Sequence, residues 1–466
     1  MSDEPDVVVL GGGSGGYAAA LRAAQLGLRV TLVERGKLGG TCLHRGCIPT
    51  KAILHAAEVA DAARHGSQFG VHATLDRIDA KEVLAYADSV VGRLYKGLTG
   101  LIKGRGITVI EGEGRLEPAA DGRLGLRVGD DLIVGRATVL ATGSTPKTLP
   151  GVQIDGVRVL TSEHALRLET LPDKAVVLGG GVIGAEFASA WTSLGVDVTI
   201  VEALPRLLPG EEPEISAAVE RAFRKRGLSV RTGVGVEHVQ PTDEGVTLRL
   251  ADGQELSGDL VLMAVGRGPV NAGLGYEEAG VAVERGLVVC GERLRTSAPD
   301  VYAVGDLVAG PQLAHRGFAH GIFVAEEIAH RAGRLDRAPA PVRDRDLPRV
   351  TYCEPEVASV GLTEAAAREE YDDVESLTYD LAGNGKSQIL KTQGFVKLVR
   401  RTDGPVVGVH LVGSRVSEMI SEAQLITGWD ALPDDVAGLS HAHPTQSEAL
   451  GEAHLALAGK PLHTHG

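Results

Sequence analysis

The sequence predicts an α/β protein with two Rossmann-like dinucleotide-binding domains, one inserted into the other, followed by a C-terminal α+β domain. Three observations carry that prediction. A strand, glycine-rich turn, helix and strand recur at an offset of 168 residues. The first pattern resumes after the second copy ends, and alternating strand patterns take over after about residue 343.

The first copy begins with the apolar run 7–10 and continues through Gly11-Gly12-Gly13-Ser14-Gly15-Gly16 into an alanine-rich helical stretch. It closes with a second apolar run ending at Glu34. The second copy has the run 175–178, then Gly179-Gly180-Gly181-Val182-Ile183-Gly184, another helix, and a run ending at Glu202. A lone G-x-G-x-x-G is weak evidence. Two copies, each after a strand, before a helix and with an acidic residue at the same offset, point to two dinucleotide sites. Gly11 and Gly179 make the tight turn, and Gly13 and Gly181 let the backbone approach a pyrophosphate. Gly16 and Gly184 let helix and strand pack closely, the helix N-terminus offers amides to phosphates, and Glu34 and Glu202 would accept hydrogen bonds from ribose hydroxyls.

Residues 137–140 form a buried strand leading into Ala141-Thr142-Gly143. Residues 261–266 followed by Arg267 end the second unit in the same manner, and 301–306 read as another strand ending in Gly305-Asp306. The expected domains are therefore 1–147 and 271–342 for the outer unit, 148–270 for the inserted one and 343–466 for the last. The polar, proline-containing run 337–348 marks the final boundary, and 395–399 and 406–412 read as strands beyond it.

Composition narrows the function classes. With 466 residues, 43% hydrophobic and 23% charged, the chain can bury large cores. Its 62 glycines follow no collagen-like triplet and suggest tight turns or backbone close to ligands. A net charge of −14 without a basic block argues against non-specific binding to nucleic acid or anionic membranes. No apolar stretch is long enough to span a bilayer; the most apolar region, 175–191, carries Glu186. A polar, acidic start running straight into a strand reads as no signal or transit peptide. Four cysteines in so long a chain are not a secreted disulfide framework, so the cytoplasm is the expected compartment.

Two of those cysteines lie close together, in Gly39-Gly40-Thr41-Cys42-Leu43-His44-Arg45-Gly46-Cys47-Ile48-Pro49-Thr50-Lys51. In a regular helix their α-carbons would be about 8.7 Å apart, whereas a disulfide needs roughly 4.4–6.8 Å. If they bond, the segment must be a distorted turn, which Gly46 and Pro49 make tolerable. A distorted bridge is easier to reduce and suits catalysis. Two buried free thiols, or half of a zinc site, are the competing readings; the other cysteines, Cys290 and Cys353, are isolated. His44 and Arg45, between the pair, either lower the thiol pKa or face solvent, with solvent the preferred reading.

The glycine-rich units, the cysteine segment, Ala141-Thr142-Gly143, Val304-Gly305-Asp306 and His441-Ala442-His443-Pro444-Thr445-x-x-Glu448 together resemble the pyridine nucleotide–disulfide oxidoreductases, over essentially the whole chain. The resemblance implies FAD at the first unit, NAD at the second, and a dimerisation domain at the C-terminus. It implies that Cys42 exchanges with substrate, that Cys47 lies against the flavin, and that Lys51, paired with Glu186, sits beside the flavin's reactive nitrogen. Thr41, Gly114, Thr142, Gly143, Asp306 and the backbone at Ala314 are implied flavin contacts, and Val234 and Gly266 nicotinamide-nucleotide contacts. His443 is the implied base and Glu448 the carboxylate that orients it, a pairing that also makes chemical sense alone, because the carboxylate fixes the tautomer and raises basicity.

The family base reaches the disulfide of the opposite subunit, which implies a homodimer with composite sites. The implied reaction is oxidation of a dihydrolipoyl group by NAD⁺. Its partners would be lipoylated acyltransferase or carrier proteins of 2-oxoacid dehydrogenase or glycine-cleavage complexes. An NADPH-dependent reductase of a glutathione- or mycothiol-type disulfide is the alternative, disfavoured because Glu202 would repel a ribose phosphate and Arg206 is the only cation close by. Mercuric-ion reduction is disfavoured by the lack of cysteine in the last hundred residues. No metal ligand set is expected. A non-catalytic FAD-binding module would not explain the two cysteines together with His443 and Glu448.

Overall fold

The computed structural model describes residues 4–463. They form two compact units: the chain to Ala52 with Glu82–Lys147 and Arg267–Asp344, and Ile53–Lys81 with Thr148–Gly266 and the chain from Arg345 onward.

In the first unit, five parallel strands stand in the order Val301–Ala303, Ala137–Leu140, Val7–Leu10, Val30–Glu34, Thr108–Glu111. The central strand, Val7–Leu10, is apolar at every position and wholly buried, as a parallel strand covered on both faces must be. Helix Ser14–Gln25 follows it and crosses helix Ala314–Arg331 closely. A Cβ at Gly321 would fall 2.3 Å from the Gly15 carbonyl oxygen and one at Gly317 3.1 Å from the Ser14 Cβ. Part of the glycine excess thus serves helix–helix contact.

The turn glycines are fixed by sterics. Gly11 has φ +98°, and a Cβ on it would lie 2.5 Å from the Ala141 oxygen; one on Gly16 would lie 1.8 Å from the Gly11 oxygen. In the second unit Gly179, at φ +107°, and Gly184 meet Ala264 and Gly179 at 2.3 and 1.9 Å in the same way.

The second unit repeats the sheet order with Val159–Thr161, Leu260–Met263, Lys174–Leu178, Asp197–Glu202 and Ser229–Thr232, again all parallel. The repeat extends further than the glycine motifs, because each copy also has a three-stranded antiparallel sheet. These are Gly114–Pro118, Leu124–Val128, Asp131–Val134, and Val236–Pro241, Val246–Leu250, Glu255–Gly258. The second unit also holds a five-stranded antiparallel sheet in which Val406–Gly413 lies between Glu356–Gly361 and Phe395–Arg401. Helices Val416–Gly428, Pro433–Ala437 and Glu448–Leu457 follow it, and the core combines Val396, Leu398, Val409 and Leu411 with Met419, Ile420 and Leu450. Among the described residues no helix is long and apolar enough to cross a membrane.

One charged cluster is buried in this unit. Lys397, its side chain 3% exposed, donates to Glu212, Glu214 and Glu364 at 2.9, 3.0 and 2.9 Å. Removing the cation leaves the buried Glu212 carboxylate without its partner, so Lys397→Met should cost about 3 kcal/mol of unfolding free energy in a urea titration. Arg368 first, and then Lys397, pull the Glu364 carboxyl down to about 2 from its ordinary 4.5. Its contribution is complete above pH 4.5 and lost as pH falls toward 2. Glu364→Gln should flatten the stability–pH curve across that window, and an unchanged curve would contradict this account.

Candidate active site

The two glycine-rich turns build matching cradles. Each helix after the turn has glycine at its N-cap, Gly13 or Gly181, and no side chain caps its first amides. Packing explains Gly11, Gly16, Gly179 and Gly184, but a Cβ on Gly181 would meet nothing within 4 Å and one on Gly13 only the Gly40 Cα at 3.9 Å. Glycine at these two positions fits a phosphate group brought against the backbone, so the residues fit dinucleotides at both turns. Glu34 accepts from the Gly12 and Gly36 amides at 2.6 and 2.7 Å, and Glu202 from the Gly180 and Leu204 amides at 2.6 and 2.7 Å. Each carboxylate therefore clamps its own turn and keeps lone pairs for a ribose. Val234 donates its amide to the Glu202 carbonyl, which places it beside that carboxylate's strand.

The cysteines lie at a helix break. Helix Gly40–Arg45 ends, Gly46 leaves helical geometry, and helix Cys47–His65 begins. Pro49 falls in the first turn of the new helix, where its missing N–H costs nothing, so the break belongs to Gly46. Thr50 ties the break by donating its amide and hydroxyl to the Gly46 carbonyl at 3.0 and 2.6 Å. Both residues are thiols here, within hydrogen-bond reach of each other. The bond with Cys47, then burial, hold the Cys42 thiol well above the ordinary range; Lys51 opposes this and Asp306 adds to it. Tyr17, pushed up to about 12 by burial and then by charge on the two cysteines, lies in the same neighbourhood.

His44 is half-buried. It bonds the Leu38 carbonyl at 2.8 Å and sets its ring against the edge of Tyr95, 5.2 Å between centroids. The distorted turn folds it inward, and Arg45 takes the exposed position.

Asp306 sits on a short 3₁₀ turn, Gly305–Leu307, where Gly305 has φ +69°. Its carboxylate accepts from the Ser144 hydroxyl at 2.5 Å. Arg267 donates to Ser144 Oγ and O at 2.8 and 2.7 Å and to Thr41 Oγ1 at 3.5 Å. Arg316 grips the Gly305 carbonyl at 3.2 Å and Asp344 at 2.7 Å. His320, lowered to about 4 by burial and then by Arg316, takes the Gly305 amide at 3.3 Å as a neutral acceptor. Sequence reasoning missed Ser144, Arg267, Arg316 and His320, although Ser144 follows Gly143 directly. Thr142 donates to the Val270 carbonyl at 2.6 Å beside the Tyr276 hydroxyl. Gly114 packs under Leu10 and Val33, Ala314 opens the helix Ala314–Arg331, and Gly266 has φ +100°.

In the second unit His443 Nδ1 meets Glu448 Oε1 at 2.8 Å, while Glu448 Oε2 accepts the Thr445 amide at 2.8 Å. The carboxylate so fixes the imidazole tautomer and leaves Nε2 to the outside, with the side chain 78% exposed. Glu186, 3% exposed, accepts the Tyr352 amide at 3.0 Å. Among the described residues no group of three or more His, Cys, Asp or Glu is arranged to hold a metal ion.

Paired dinucleotide cradles, two thiols and a histidine–carboxylate pair define a flavin- and nicotinamide-dependent disulfide oxidoreductase. Residues 5–321 match the pyridine nucleotide-disulphide oxidoreductase family and residues 347–454 its dimerisation domain, and the chain belongs to that family. It is a flavoprotein that uses FAD and NAD(H). It is 40% identical to a dihydrolipoyl dehydrogenase of Bacillus subtilis, over 99% of this chain and 100% of that protein. It is 38% identical to the dihydrolipoyl dehydrogenase of Zymomonas mobilis, over 99% and 100%. Among solved structures it is similar to LpdA from Mycobacterium tuberculosis, with TM-score 0.87, 28% identity and 97% and 99% of the two chains covered.

Distinct roles for the two cysteines would give distinct mutant spectra. Cys42→Ser should retain the long-wavelength thiolate–flavin absorbance of the reduced holoenzyme, and Cys47→Ser should lose it. The opposite pattern would reverse the two roles.

Proposed function

We propose that this protein oxidises dihydrolipoamide carried on a lysine of a lipoylated acyltransferase or carrier protein, with NAD⁺ as acceptor. The observation that carries this is the pair of thiols brought within hydrogen-bond reach of each other at the Gly46 break. With the pair oxidised, a substrate thiolate attacks Cys42 Sγ, forming a mixed disulfide and releasing Cys47 as thiolate. The second substrate sulfur then closes the lipoyl disulfide and releases Cys42. His443 of the partner subunit takes the thiol protons, held in the required tautomer by Glu448. FAD, when bound, supplies the route for the electron pair from the dithiol to NAD⁺, giving NADH. Lys51 supplies positive charge beside the thiols. Thr41, Thr142, Gly143 and Asp306 would hold the flavin, with Gly114 and Ala314 at its edges; Glu202, Val234 and Gly266 would hold NAD.

The domain assignment goes with this reading: FAD at 1–147 and 271–342, NAD at 148–270, and the homodimer contact at 343–466. A reactive dithiol fits a reducing compartment, and the cytoplasm is our assignment. NAD rather than NADP is supported by the clamped Glu202 carboxylate and by Arg206, whose guanidinium is turned onto the Pro209 and Glu211 carbonyls at 2.9 and 3.2 Å.

The test is a steady-state assay of the holoenzyme with dihydrolipoamide plus NAD⁺, against NADPH plus oxidised glutathione or mycothiol. We expect NADH from the first mixture and at least about a hundredfold lower kcat/KM in the second, since a charge mismatch at the ribose site removes several kcal/mol of binding. Absence of NADH from dihydrolipoamide would contradict the proposal.

A further inference from the structure

Beside His443 and Glu448 lies a second pair of the same chemistry. His441 Nε2 meets Glu422 Oε1 at 2.7 Å, and the His441 side chain is 13% exposed where that of His443 is 78% exposed. Glu422 comes from helix Val416–Gly428, whereas Glu448 opens helix Glu448–Leu457. The turn between the histidines is therefore tied to two helices. It is fastened again where Asn384 Nδ2 donates to the Thr445 carbonyl at 3.0 Å and Thr445 Oγ1 to the Ala442 carbonyl at 2.7 Å.

The His441 ring has a seat of its own. A Cβ on Gly451 would lie 2.5 Å from His441 Nδ1 and 2.8 Å from Cε1. Gly451 is inside a helix, where glycine is a poor choice, and the imidazole lying on its backbone accounts for it.

The surroundings also give His441 an electrostatic part. Facing it are Glu422 from one helix, Glu448 and His454 from the other, and His443 on its own turn. The bond to Glu422 raises His441 above its ordinary 6.5, against burial, so it carries its proton toward neutral pH. His454, wholly buried, is lowered by burial and donates Nδ1–H to the Leu450 carbonyl at 2.7 Å, so it adds no charge near neutral pH. Burial would raise Glu448, but the Thr445 amide, then His443, then His441 hold it below its ordinary value.

We propose that Glu422 and His441 are a positioning pair for the catalytic turn: their bond fixes where His443 stands, and the His441 ring stands beside the His443–Glu448 pair. The inference rests on His443 being the base. His441 touches no reacting atom and acts through Glu448 and the turn. As pH rises through the raised pKa of His441 its charge is lost, while the hydrogen bond to Glu422 survives because a neutral imidazole still donates from Nε2.

The holoenzyme variants Glu422→Ala, Gly451→Ala, His441→Gln and His443→Gln separate these roles. Two assays are run on each: dihydrolipoamide oxidation across pH, and NADH-driven reduction of ferricyanide, which draws electrons through the flavin without a proton acceptor at residue 443. Glu422→Ala and Gly451→Ala should lower kcat for dihydrolipoamide on the order of tenfold, with KM for NAD⁺ and the ferricyanide rate unchanged. His441→Gln keeps a donor for Glu422 but removes the charge. It should stay within about threefold of wild-type kcat while the acid limb of the profile moves up by about half a pH unit. The proposal is overturned if all three keep the wild-type kcat and acid limb, or if both assays fall together, which would mean general damage to the fold. Loss of dithiol oxidation in His443→Gln with the other three variants normal would sink the positioning pair alone. Full dithiol oxidation by His443→Gln would remove the base assignment and this pair with it.

Discussion

In an unbroken helix the α-carbons of Cys42 and Cys47 would stand about 8.7 Å apart, beyond the reach of a disulfide. The chain brings them together by ending one helix at Arg45, letting Gly46 leave helical geometry and starting the next helix at Cys47. That break makes the site asymmetric. It sets His44 against Tyr95, ties Thr50 back to the Gly46 carbonyl, and leaves two sulfurs sharing a hydrogen bond. A pair that exchanges with substrate thiols needs a base to take their protons, and a histidine exposed at its Nε2 side is suited to supply it.

The two glycine-rich cradles are one solution used twice. A strand carbonyl lies so close to the following helix that only glycine fits at 16 and 184, and this closeness points the uncapped helix start past Gly13 or Gly181. The glutamate at the end of the neighbouring strand completes the cradle by clamping the turn's second glycine amide. Because backbone donors orient the carboxylate, the same residue that braces the turn is also placed where a ribose would meet it. Folding and cofactor choice are thus joined at Glu34 and Glu202.

The local half of this arrangement was legible in the sequence. Both glycine motifs lie in unbroken strand–turn–helix segments, and Glu34 and Glu202 stand at equal offsets, so the repeated unit and its turn geometry followed from spacing. The pairing of His443 with Glu448 was legible for the same reason, both residues lying within one turn and the next helix start. What sequence could not show were contacts between distant segments. Gly317 and Gly321 are glycine because helix Ser14–Gln25 crosses them, a contact spanning some three hundred residues. Ser144, Arg267, Arg316 and His320 gather around Gly305-Asp306 from three separate stretches, and nothing in their neighbours announces it. For His44 the solvent-facing reading was preferred, whereas the Leu38 carbonyl and Tyr95 hold it half-buried.

The most direct measurement of the central claim is alkylation mapping of the holoenzyme before and after anaerobic reduction with one equivalent of dihydrolipoamide. If Cys42 and Cys47 are a redox pair with Cys42 toward substrate, neither is labelled by iodoacetamide before reduction. After it, Cys42 is labelled ahead of Cys47 and turnover is lost in step with that label. Equal labelling with and without dihydrolipoamide, or label reaching Cys47 first, would contradict the account.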